Sequence, residues 1–325
     1  MTHCWRTVRL KPFFLAFIAI AVAYVTPARA GLVINPIFAS SITSDDNAAT
    51  IEATIDGAIQ VYERSFFDPI TVNIEFEEMS SGLGESETYY GTIAYSEYLS
   101  LLAADATTAA DASALASLPA GPDNPVDGSP YMDVTTANLR ALGIDVNPPE
   151  GQPDGFVLLN TSIMNLNRTS INPSKYDLMA VASHEIDEVL AFGSALNGLS
   201  NGAATPTGAV WGMDLYRYDQ NGNRSFNTAL SSQAYFSING GVTDLARFNQ
   251  TGGGDFSDWY STGPHTPEVQ DAFGTPGATP NLGVELTALD VLGYDLETPE
   301  PATAALAAAA LVVFGGLKTV RRKRS

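Results

Sequence analysis

The chain has 325 residues, a length for one or two domains. Lys and Arg total 16 against 36 Asp and Glu, a net charge of −20, with 45% hydrophobic and 16% charged residues. The apolar content excludes a disordered polyelectrolyte, the acidity argues against nucleic-acid binding, and a single Cys excludes a disulfide scaffold or a Cys-based metal cluster.

The N-terminus reads as an export signal. Arg6, Arg9 and Lys11 precede an apolar run from Phe13 to Val25, and Ala28-Arg29-Ala30 is a small-x-small cleavage site. The alternative, an uncleaved anchor, is disfavoured because the run is shorter than the roughly 20 residues of a membrane span. Cleavage after residue 30 leaves Gly31 first. The core, 31–296, holds seven basic and 34 acidic residues, a net −27, with no Cys and two His, His184 and His265.

Within the core, 33–38 suits a first strand. Ile51, Ile55, Ala58, Ile59, Val61 and Tyr62 fall at helical spacing and predict an amphipathic helix over 48–65. Ile70, Val72, Ile74 and Phe76 alternate with polar residues, the pattern of a half-buried strand. A helix is expected over 95–102, a helix or surface insertion over 103–117, a loop over 121–130 and a short helix over 135–142. Phe156 to Leu159 reads as a buried strand, with a polar loop after it. The longest later helix is expected over 175–192, with Pro173-Ser174 at its start and Gly193 at its exit. Beyond it Gly, Asn, Ser and Thr dominate. Short strands over 215–218 and 225–226 flank an Asn221-Gly222 turn. A further strand over 234–238 and a helical turn over 287–292 close the core. The expected fold class is α+β: an N-terminal helix and twisted-sheet lobe (31–193), a central helix, and an irregular β-rich lobe (194–296).

The chemistry concentrates in Ala180-Val-Ala-Ser-His184-Glu185-Ile-Asp187-Glu188-Val-Leu-Ala-Phe192. The flanks are apolar on nearly all sides, as in a buried helix. Charges in such a helix are costly unless paired or bound to a metal. His184 and Glu188, four residues apart, share one helix face and can grip one ion. The segment resembles the zincin His-Glu-x-x-His motif with Glu188 in the second His position. The resemblance implies a zincin-like fold, zinc held by His184 and Glu188, and Glu185 as general base for a water. Carboxylate oxygen is an accepted zinc ligand beside imidazole. Ala191 and Ser194 stand where the longer metzincin pattern requires Gly and a third ligand, so an ordinary metzincin does not fit.

A third ligand must come from elsewhere, and Asp214, at the start of a later strand, is the first choice. Capping of a turn is its alternative role. His265 is read as a solvent-exposed loop residue, with ligation or transition-state donation as its alternative. Met213 is read as core packing rather than a Met-turn, and Tyr216 and Tyr218 as strand aromatics rather than oxyanion donors. Asp219, Asn221 and Asn223 resemble half a calcium loop, but no bidentate Glu follows, leaving Ca2+ possible without support.

The C-terminus carries Pro299-Glu300-Pro301, a charge-free run from Ala302 to Leu317 and a basic cluster from Lys318 to Arg324. Sixteen helical residues span about 24 Å, marginal for a bilayer core of about 30 Å. This tripartite tail (297–325) resembles the PEP-CTERM sorting signal of Gram-negative bacteria. The resemblance implies transient inner-membrane anchoring through 302–317, cleavage by an exosortase, and delivery to the cell surface; an ordinary tail anchor is the alternative. The core itself resembles PEP-CTERM-bearing zinc metalloproteases through the stretches 184–190, 214–218, 235–241, 271–277 and 286–294. The expectation is a secreted or surface-sorted zinc peptidase acting on a peptide or protein substrate. The competing reading is a non-catalytic surface or matrix protein of the same fold.

Overall fold

The computed structural model describes residues 31–297 except Asn201. The expected signal peptide and the apolar tail segment 302–317 lie outside the described residues. Among the described residues no helix is long and apolar enough to cross a membrane.

Strand β1 (Val33–Phe38) leads through a short helix α1 (Ser40–Thr43) into α2 (Ala48–Ser65). Helix α2 has the limits its periodicity predicts and buries Ile51, Ile55, Ala58, Ile59 and Tyr62 as one stripe. In β2 (Thr71–Glu78), Val72, Ile74 and Phe76 point into the core. Strands β3 (Gly84–Thr88) and β4 (Tyr90–Ala94) follow, then helices α3 (Tyr95–Asp105) and α4 (Ala109–Ser117). A reciprocal capping box between Thr108 and Asp111 starts α4, which places a helix in the Ala-rich stretch. Strand β5 (Tyr131–Thr135) runs directly into α5 (Thr136–Ala141), and β6 (Gly155–Leu159) follows. The two-residue strands β7 (Met164–Asn165) and β8 (Tyr176–Asp177) pair and lead into α6 (Leu178–Leu190). Helix α6 begins three residues later than predicted because Tyr176 and Asp177 are extended, and the Asp177 carboxylate caps the helix by accepting from the Ala180 N–H.

The remainder holds α7 (Asn197–Ser200), the short strands β9 (Val210–Trp211), β10 (Arg217–Tyr218), β11 (Tyr235–Phe236) and β12 (Ala246–Arg247), and α8 (Val284–Val291). Of the strand expected over 215–218, only Arg217 and Tyr218 are extended (β10); Leu215 and Tyr216 end the 3-10 turn Met213–Tyr216. The main sheet has the order β1-β2-β6-β3, with β1, β2 and β6 parallel and β3 antiparallel to β6. Small sheets β4-β5-β9 and β10-β11-β12 complete an α+β architecture. One hydrophobic core runs from Leu32 to Tyr294 and draws on both halves of the chain.

Helix α6 packs on α2, β3 and β6. Two glycines permit the close approach to the sheet. A Cβ on Gly155 would lie 2.6 Å from a Val189 methyl, and one on Gly84 would lie 2.2 Å from Glu185 Oε1. The sequence places a substrate-accepting edge at Phe156 to Leu159. The structure corrects this: β6 is enclosed between β2 and β3, the sheet's edges are β1 and β3, and β3 is the edge that packs beside α6. Gly193, expected to end the helix by its backbone, serves packing instead, because a Cβ there would meet the Trp211 ring at 2.4 Å.

Candidate metal centre

Helix α6 places His184 and Glu188 on its one partly open face, while Ser183, Glu185 and Asp187 are buried. His184 Nε2 lies 3.6 Å from Glu188 Oε1 and 3.7 Å from Asp258 Oδ2. Ligand atoms of His184, Glu188 and Asp258 all lie within 4.8 Å of one another, the one such group among the described residues. Tetrahedral zinc with arms of about 2.1 Å has donor–donor edges of about 3.4 Å. One imidazole nitrogen and two carboxylates at these separations therefore fit such an ion.

The ring of His184 is set for ligation through Nε2. Its Nδ1 lies 3.1 Å from the Val269 carbonyl oxygen, which can only accept, so the Nδ1–H tautomer leaves the Nε2 lone pair facing the carboxylates. Glu188 Oε2 accepts from the Ser86 hydroxyl of β3 at 2.6 Å. Asp258 Oδ1 accepts from the Gln270 side-chain amide at 3.1 Å. The segment bearing Asp258 is pinned from two sides. Asn197 Oδ1 accepts from the Phe256 and Ser257 N–H groups. The buried Arg217 guanidinium donates to the Phe256 carbonyl at 2.6 Å and stacks over Phe248.

These groups floor a cavity of about 730 Å³ lined by β3, α6 and the 253–258 and 267–280 loops. No Lys or Arg lines its wall beside His184, Glu185, Glu188, Asp255, Asp258, Glu268 and Asp271. Burial pushes Glu185 well above the usual carboxylate range, and the Glu188 charge adds to the shift. Glu188 moves the other way: burial opposes this, but bonds from His184 and Ser86 and the His184 charge hold it lower. Burial and then the Glu188 charge raise Asp255 to about 6. His184 lies well above its ordinary value although burial pulls it down, because Asp258, Glu188 and Glu185 surround it.

Asp187 has a structural place. The Tyr62 hydroxyl is 2.7 Å from the Ser183 carbonyl oxygen and 2.9 Å from Asp187 Oδ1. Burial also pushes Asp187 well up.

The structure brings together His184, Glu185 and Glu188 but not Asp214. Asp214 is buried at the start of the 3-10 turn, where its carboxylate accepts from the Ser194 hydroxyl and from the Ala195 and Trp211 N–H groups, both at 3.0 Å. It caps a turn, and the third carboxylate at the centre is Asp258. Asp258 stands between the buried Phe256 and Trp259, and an acid set against core aromatics in a Gly-rich stretch is the signal that points to it. His265 also departs from expectation: its side chain is 19% exposed and both ring nitrogens have partners. Met213 and Tyr216 are core residues, and Tyr218 packs on Tyr235. Asp219 Oδ1 accepts from its own loop, from the Asn221 and Asn223 N–H groups, as a hairpin turn requires.

No protein-family model, curated protein or solved structure matches the chain.

Proposed function

We propose that the protein is an exported, surface-sorted zinc peptidase of zincin-like build. Its ligands are His184, Glu188 and Asp258, and its general base is Glu185. The observation that carries the reading is the convergence of one imidazole and two carboxylates within 4.8 Å on the floor of a large cavity, one residue from a buried Glu. When bound, zinc supplies the Lewis acidity that polarises a peptide carbonyl and eases deprotonation of a water.

The chain's own residues supply the rest. A peptide laid along the free edge of β3 bonds to its main chain, as strand addition allows. It then passes Gly84, which lies against Glu185, and Ser86, which holds Glu188. Environment separates the two glutamates, with Glu185 raised by burial and Glu188 held low by its hydrogen bonds. That contrast assigns Glu185 as the proton carrier and Glu188 as the ligand. The Glu185 carboxylate takes a proton from the attacking water and passes it to the leaving amine nitrogen.

Casein digestion and metal analysis of wild type and Glu185→Gln test this reading. Zinc in both proteins, with hydrolysis by wild type alone, supports it. Zinc in both with hydrolysis by neither supports the non-catalytic surface protein, and absence of metal from wild type contradicts both.

A further inference from the structure

We infer that His265 is a positioning residue for the metal centre: with Asp271 it fastens the short segment that orients two ligands at once. This inference rests on the proposed metal centre and extends it to a residue that does not line the cavity.

The 268–272 segment touches both ligands from behind. The Val269 carbonyl accepts from His184 Nδ1 at 3.1 Å, and the neighbouring Gln270 side chain donates to Asp258 Oδ1 at 3.1 Å. The backbone holds the segment in place, with Trp259 N–H donating to the Gln270 carbonyl at 2.7 Å and Ala272 N–H to the Trp259 carbonyl at 3.1 Å. Gln270 N–H donates to the buried Glu285 carboxylate at 3.1 Å. The open side is the loop before it. There His265 bridges back, with Nε2 2.8 Å from Asp271 Oδ2 and Nδ1 2.7 Å from the Gly263 carbonyl oxygen. Asp271 Oδ2 also accepts from the Glu268 N–H at 3.2 Å, so one carboxylate oxygen gathers both ends of the loop.

The chemistry of this clasp is constrained. A carbonyl oxygen and a carboxylate are both acceptors, so each ring nitrogen of His265 must carry a proton and the ring is an imidazolium. The Asp271 side chain is only 2% exposed, and its other oxygen is buried without a hydrogen-bond partner, so it depends on that cation. The charged groups acting on the pair are Asp271 and Glu268 at His265, and Glu285 beyond Asp271; all are acidic. Loss of the ring leaves a buried carboxylate with no counter-charge beside the carbonyl that sets His184. The segment then shifts, and with it the direction of the His184 Nε2 lone pair.

The test uses wild type, His265→Ala, His265→Gln and the same-loop control Thr266→Ala. The chain has three histidines, so their ring signals can be assigned in proton–nitrogen spectra. At neutral pH, His265 is expected to be doubly protonated in metal-free wild type, and His184 to show the Nδ1–H tautomer in the zinc-loaded protein. His265→Ala should displace the His184 ring signals and weaken zinc binding, measured by chelator competition, by about tenfold or more. His265→Gln, which keeps one donor toward Asp271, should recover part of that loss, and Thr266→Ala should match wild type. A neutral His265, or unchanged His184 signals and zinc affinity in His265→Ala, would overturn the inference. If His265→Ala does not fold, His265→Gln carries the same two readouts. A wild type that takes no zinc refutes the metal centre, yet leaves the His184 ring signals to decide the clasp.

Discussion

Two acid-rich regions of this protein handle buried negative charge in different ways. At the metal centre, His184, Glu188 and Asp258 converge on one point beside a cavity. At the seam where α8 and the end of the core meet α3 and α4, Asp68, Asp105, Asp111, Asp290 and Asp295 gather without forming such a group. The seam carboxylates are served locally. Thr107 and Thr108 donate hydroxyls to Asp295 and Asp290, their N–H groups serve Asp111, and Asp295 N–H serves Asp68. None of the five forms an ion pair among the described residues. Burial raises Asp68 and Asp105 to about 7 and Asp290 to about 6, so these three hold protons more readily than a free carboxylate. The comparison teaches that acidity alone does not make a metal site. An imidazole with its lone pair aimed at two converging carboxylates does.

The largest effect expected from breaking this contrast is at the centre. His184→Ala should abolish zinc binding and hydrolysis together, whereas Asp290→Asn at the seam should leave both intact. Parallel metal analysis and casein digestion check this. Chelation of wild type should also lower its Tm, since a ligand bound only to the folded state stabilises it.

A smaller loss is expected from Gly84→Ala. The added Cβ would fall 2.2 Å from Glu185 Oε1, so the base must move while the three ligands stay. Misplacement on the scale of an ångström can cost about a hundredfold in rate. The expected result is retained zinc with kcat reduced by about one to two orders of magnitude. Wild-type kcat in this variant would show that Glu185 is not the base.

The seam predicts an opposite pH response to ordinary acid denaturation. A carboxylate whose folded pKa exceeds its unfolded one binds extra protons when folded, so stability falls as pH rises between the two values. For Asp68 that window runs from 3.8 to about 7. His184 and His265, both raised, act in the same direction, because their contribution is lost as pH rises through their folded values. The Tm of the metal-free protein should therefore be higher at mildly acidic than at mildly alkaline pH, and Asp68→Asn should flatten the difference. A Tm that climbs through this range would contradict the seam's protonation.

The smallest effect concerns substrate charge. A cavity walled by Glu185, Glu188, Asp255, Asp258, Glu268 and Asp271 should favour basic over acidic peptides. The preference in kcat/KM should shrink as salt is added.

Sequence and structure agree where periodicity is strong and part where chemistry is assembled across the chain. Helix α2 and the His184–Glu188 pair are legible because 3.6-residue spacing alone puts those residues on one face. Strand β3 is not legible: Gly84-Glu-Ser-Glu-Thr88 has no apolar alternation, and β6 supplies its pairing. Asp258 is brought to the centre by Asn197, Arg217 and Gln270, none of them near it in sequence except Gln270. Asp214 satisfies the same local expectation for a ligand, but three donors from its own turn and the preceding loop already occupy it.

The identity of the third ligand is the point on which the account stands, and zinc content per chain in wild type, Asp258→Ala and Asp214→Ala measures it directly. The account predicts one zinc per chain in wild type and in Asp214→Ala, and loss of zinc in Asp258→Ala. Zinc kept by Asp258→Ala and lost by Asp214→Ala, or absent from wild type, would contradict it.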